Sequence, residues 1–168
     1  MLVSRTNEKN RTINSKQGTQ NEEKMESDMD TPSLWDTSEG LFYRALAAGR
    51  NHQFLNMLFR RPSHLQDLGS YKSHLQNGHY AGLRDVALDD IRGTEGRQND
   101  FDDRFHPLTD RIRQRWQSIA RAYSAGKNLP PIELIQVGSD YFVRDGHHRI
   151  SVARALGYTM ILASVTVL

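Results

Sequence analysis

The chain has no cysteine, so disulfide staples, thiolate zinc sites and a cysteine nucleophile are all excluded. It also lacks any apolar run near the ~18 residues of a membrane span. Arg5 and Lys9 fall where a secretory signal would need its apolar core. A soluble, cytoplasmic protein is the expectation. Apolar residues are scarce, at 37% with a mean hydropathy of −0.68, too few for all 168 residues to pack into a core. The shortfall is concentrated in residues 1–33, whose apolar side chains are little more than Leu2, Val3, Ile13 and three Met. Ordering that stretch would cost chain entropy for little burial, so it is expected to be a disordered tail.

A strong charge of one sign is missing too. The net charge is +2, and within the tail Glu8, Glu22, Glu23, Glu26, Asp28 and Asp30 outnumber Arg5, Lys9, Arg11, Lys16 and Lys24. What remains is mildly basic, short of the clustered Lys and Arg that mark a duplex-DNA surface. A small anionic ligand needs only a few local charges.

What is present begins with a helical segment over 34–68. Leu34, Leu41, Ala45 and Ala48 form one apolar set and Phe54, Leu55, Leu58 and Phe59 another, with Gly49 and Pro62 as punctuation. This predicts a helical hairpin or pair packed on the domain that follows. Residues 69–82 read as loop, and His74 and His79 there, without a third ligand, read as loop surface. From about 83 to 168 the pattern is that of one small domain. LRDVALDDI is a strand running into a turn, followed by the long polar loop GTEGRQNDFDDRFHPL. A helix then places Ile112, Trp116, Ile119 and Tyr123 on one face, and Gly126 and Pro130-Pro131 end it. IELIQV and YFV around Gly138-Ser139-Asp140 form a hairpin. HHRISVARAL is a helix with Ile150, Ala153 and Leu156 on one face, and Met160 to Leu168 is a closing strand. Ile112, Trp116, Ile135, Val143, Ile150 and Leu156 are expected to share a core.

The chemistry falls on the strand–turn–helix junction Asp145-Gly146-His147-His148-Arg149. The first amides of a helix have no intrahelical acceptor and stand at the positive end of its dipole, which suits an anion. Gly146 permits close backbone approach or a positive φ. Arg149 adds a forked permanent cation, and His147 and His148 add donors. The structural alternative is that a histidine caps the strand edge and that Arg149 pairs with Asp145 to hold the turn. Adjacent histidines point about 100° apart on a helix, so they do not chelate one metal together.

The run VGSDYFVRDGHHRISVARALG resembles the signature box of the ParB/sulfiredoxin superfamily, a hairpin strand leading into a Gly-x-x-Arg turn, here Gly146 to Arg149. VALDDI and GRQNDFDDRF resemble the family's first strand and its Arg-x-x-Phe-Asp stretch, with Arg97 at the arginine position and Phe101-Asp102 after it. The resemblance covers about half the chain, and the whole from Leu34 on is similar to bacterial proteins that precede this domain with a helical segment. It implies an α+β fold, a small mixed sheet flanked by helices, and a nucleotide phosphate chain at the turn: CTP in partition proteins, ATP in sulfiredoxins, ADP in free-serine kinases. His147 stands where sulfiredoxins need cysteine, which excludes that activity. Partition proteins carry a helix-turn-helix module after this domain. The sequence shows none before Leu168, so direct DNA binding is not expected.

Two functions follow. The first is nucleotide-dependent phosphoryl transfer or hydrolysis with Mg²⁺, on a small hydroxyl acceptor or water. Gly146, His147, His148, Arg149 and Arg97 would hold phosphates, Asp145 would bind the metal or act as base, and Glu95 would be a second catalytic carboxylate. The other is a non-catalytic nucleotide-sensing, DNA-partition or protein-interaction module.

Overall fold

A computed structural model describes residues 37–60, 64–69, 78–96 and 99–168; the expected tail, Leu34 and Arg97 lie outside them. Six strands form one mixed sheet: β1 (Gln66–Asp67), β2 (His79–Ala87), β3 (Ile91–Thr94), β4 (Ile132–Val137), β5 (Asp140–Asp145) and β6 (Met160–Val167). Their order across the sheet is β1-β3-β5-β4-β6-β2. The β4/β5 hairpin sits centrally and closes with Val137 opposite Asp140. β3 runs parallel to β5 and β6 parallel to β4, while β2 pairs antiparallel with β6. β2 begins at His79, four residues before the apolar pattern predicts, because the ladder with β6 supplies the hydrogen bonds that its polar start does not advertise.

Three helices, α1 (Ser38–Leu58), α2 (Arg113–Ser124) and α3 (His147–Ala155), pack on one face. Their Phe42, Leu46, Trp116, Ala120, Ile150 and Val152 join Val86, Ile91, Ile132, Leu134, Val143 and Val165 in one core. This is an α+β architecture, with helices segregated to one side of a sheet. Two expected core members fall elsewhere. Ile135 follows Leu134 along β4 and so points to the opposite face, where it packs with Leu68 and Phe142. Leu156 lies just past the last turn of α3 and is 36% exposed.

The expected helical pair is one helix of 21 residues, α1. Its Phe42, Ala45 and Leu46 are buried, and Phe54, Leu55 and Leu58 are exposed among the described residues. Gly49 does not punctuate it. A Cβ there would stand 2.7 Å from the Pro107 carbonyl oxygen and 3.0 Å from His106 Cβ, so glycine is what lets α1 lie directly on the 106–108 segment. Ser38–Leu168 is one compact unit, and α1 is part of its core.

Candidate functional site

The junction after β5 is built around Gly146. Its φ is +107°, a left-handed conformation that costs an L side chain about 1–2 kcal/mol. A Cβ there would also lie 2.4 Å from Ile132 Cγ2. The chain thus reverses tightly against β4 and enters α3, whose first intrahelical bond runs from the Ile150 amide to the Gly146 carbonyl at 3.0 Å. The amides of His147, His148 and Arg149 precede that bond, at the positive end of the helix dipole. Residues 145–149 line a shallow notch of about 20 Å³ together with Arg115 and Ile119. Larger concavities lie elsewhere: about 320 Å³ beside Tyr123 and Tyr158 and about 240 Å³ between α1, His106 and Arg154.

The side chains of the turn do not all point where the sequence suggests. Both histidine rings turn inward and are buried. His147 Nε2 shares a hydrogen bond with Thr94 Oγ1 at 2.6 Å and stacks on Phe101 with centroids 6.2 Å apart. His148 meets Phe101 edge-on at 5.4 Å. Each ring finds better company in the core than in water, so neither imidazole stands out on the surface as a clamp. Arg149 is a positioning group. It donates through Nη1 to the Pro130 and Pro131 carbonyls and through Nη2 to Asp145 Oδ2 at 2.5 Å, tying the turn to the lead-in of β4. Asp145 stays 62% exposed.

The turn meets β3 through Thr94 at the end of that strand and the polar loop after β3 through Phe101. Glu95 is held by Arg144, Nε to Oε2 at 3.0 Å, and its amide donates to the Val143 carbonyl. The second carboxylate expected near the phosphate is therefore already in an ion pair. Arg115, on the exposed side of α2, lines the notch without a side-chain partner among the described residues. Sequence reasoning passed over it because one arginine on a polar helix face carries no local signal. It also passed over Thr94.

For Mg²⁺, the notch offers Asp145 as its single lining carboxylate, already bonded to Arg149. Such a set fits a metal carried in by phosphates and not a cage of protein oxygens. An anion suits the positive end of the α3 dipole and the charge of Arg115.

A second polar cluster lies beyond Phe101. Asp102 is fully buried. Its Oδ1 accepts the amides of Arg104 at 3.0 Å and His106 at 2.8 Å, while Oδ2 faces His52 Nδ1 at 3.0 Å and His106 Nδ1 at 2.8 Å. Burial raises the Asp102 pKa, but hydrogen bonds and charge from His106, with a further hydrogen bond from His52, outweigh it and hold the carboxyl below its ordinary value.

No protein-family model matches the chain, and no curated protein matches it. Among solved structures, a sulfiredoxin from Arabidopsis thaliana overlaps with a TM-score of 0.37 at 20% identity, covering 49% of this chain and 82% of that one. The α+β class rests on the sheet and helices of the chain itself. Among the described residues, no helix is long and apolar enough to cross a membrane.

Proposed function

We propose that the α3 turn binds the phosphate chain of a nucleotide. The observation that carries this reading is the meeting of the start of α3, the positive end of its dipole, with the cation Arg115, which has no side-chain partner among the described residues, in one notch at the carboxyl end of the parallel β3/β5 pair. A notch of about 20 Å³ admits phosphate oxygens and leaves sugar and base on the surface. Recognition thus falls mainly on the phosphates, and ATP, ADP and CTP should differ little. Arg149 and Gly146 hold the turn in shape, and Arg97 falls outside the described residues.

Binding without turnover is favoured over phosphoryl transfer, because both expected catalytic carboxylates are in ion pairs, Glu95 with Arg144 and Asp145 with Arg149. Calorimetric titration of ATP, ADP and CTP into wild type and Arg115→Ala tests the reading. Arg115→Ala should weaken binding roughly ten- to a hundredfold, the usual worth of one charged hydrogen bond, with no loss of thermal stability. No binding at millimolar nucleotide, or equal binding by the variant, would remove the notch as a phosphate site. Phosphate release with Mg²⁺, with and without small hydroxyl acceptors, decides turnover.

A further inference from the structure

We infer that His52, His106, Asp102 and Asp103 form a binding site for one divalent first-row transition ion, Zn²⁺ foremost. The site is separate from the turn and does not depend on the nucleotide reading. The donor atoms of His52, Asp102 and His106 all lie within 4.8 Å of one another. A tetrahedral ion with ligands at about 2.0–2.1 Å separates neighbouring donors by roughly 3.3 Å. Here the separations are 3.0 Å from His52 Nδ1 to Asp102 Oδ2, 2.8 Å from His106 Nδ1 to the same oxygen, and 3.3 Å from His52 Nδ1 to Asp103 Oδ1. These three separations lie within about half an ångström of the tetrahedral spacing.

Three features set this cluster apart from an ordinary buried ion pair. The amides of Arg104 and His106 hold Oδ1 of Asp102 and so aim Oδ2 at both rings, the kind of orientation that a ligating carboxylate needs. Asp103 Oδ1 is shielded from solvent and accepts no hydrogen bond among the described residues, although it faces His52 Nδ1. The His52 Nδ1 proton is directed at Asp102, and among the described residues no other donor reaches this Asp103 oxygen. Two carboxylates with two neutral imidazoles also balance the charge of a divalent ion, and the imidazoles select transition metals over Mg²⁺ or Ca²⁺. An approach from solvent exists. His106 is 29% exposed and lines the cavity shared with Arg44 and Arg154.

Buried Asn56 supplies the outer contact. Its Nδ2 stands 3.3 Å from His52 Nε2, which places the His52 proton on Nδ1 when no metal is bound. With metal on Nδ1 the proton moves to Nε2, and the Asn56 amide turns to accept it through its oxygen.

The test uses the full chain, stripped with a chelator and free of nucleotide. Zn²⁺ should bind with a stoichiometry of one and a micromolar or tighter Kd, unaffected by excess Mg²⁺. Co²⁺ should give the strong visible bands of a tetrahedral site. His52→Gln and His106→Gln should each weaken Zn²⁺ by about a hundredfold or more, and Asn56→Leu by about 10- to 100-fold, as outer contacts do. Metal-free melting curves establish that the variants fold. If a variant does not, imidazole ¹⁵N spectra of wild type read the same point, since two histidines should lose their Nδ1 protons as Zn²⁺ is added. Failure of wild type to bind millimolar Zn²⁺, equal binding by the His52→Gln/His106→Gln double variant, or Nδ1 resonances unmoved by Zn²⁺ would each overturn the assignment.

Discussion

Gly146 is the residue on which the turn's geometry depends most directly, and two separable costs attach to replacing it. Gly146→Ala places a side chain at φ +107°, worth about 1–2 kcal/mol. It also drives a Cβ to 2.4 Å from Ile132 Cγ2, where carbon contacts are ordinarily about 3.5–4.0 Å. Ile132 is buried in β4, with Ala163 and Asp145 of the flanking strands near it in the ladders, so it has little room to retreat and overpacking adds about 1–3 kcal/mol. The expected total is a loss of roughly 2–5 kcal/mol, read by urea unfolding followed by circular dichroism. Gly126 is the control, because its φ is +64° and nothing lies within 4 Å of its added Cβ. Gly126→Ala should cost only the conformational part, about 1–2 kcal/mol, and the effect of alanine on the unfolded chain cancels between the two sites. Asparagine tolerates the left-handed region. Gly126→Asn should therefore be nearly neutral, while Gly146→Asn retains the clash with Ile132. Equal effects of asparagine at the two positions would refute the packing argument and leave φ as the sole reason for glycine.

Two further expectations concern the packing beside the site. Trp116 donates its indole N–H to Ser151 Oγ at 2.8 Å between two buried groups. Ser151→Ala should therefore cost about 1–3 kcal/mol by leaving that donor unpaired, and Trp116→Phe/Ser151→Ala should lose less than the single changes summed, a double-mutant cycle in urea deciding it. Burial raises the Tyr123 pKa, Tyr158 adds to the rise, and the charge of Arg149 opposes both. Because the folded pKa lies above the unfolded one, the stability this group contributes is complete below about pH 10 and disappears as pH rises through the folded pKa. Tyr123→Phe should flatten the alkaline decline in unfolding free energy, and an unchanged decline would show that Tyr123 is not its source.

Local chemistry alone was enough to read much of this chain. The hairpin of β4 and β5, the break at Asp145-Gly146, the start of α3 at His147, the end of α2 near Gly126 and the closing strand β6 all follow from alternation, helical spacing and turn residues that act within a few positions. The Arg149–Asp145 pair, four residues apart across the turn from β5 into α3, was available from local sequence as well. Three-dimensional contact decided the rest. His147 finds Thr94 across 53 residues of sequence and His52 finds Asp102 across 50, separations over which no periodicity speaks. The inward turn of the two histidine rings was settled by Phe101 and Thr94, which offered stacking and a hydrogen bond that water on the helix surface could not match. Gly49 was read as a helix breaker because glycine usually is one in isolation. Only the packed structure, with Pro107 and His106 pressed against it, shows that its missing side chain is what brings α1 and the Asp102 loop together.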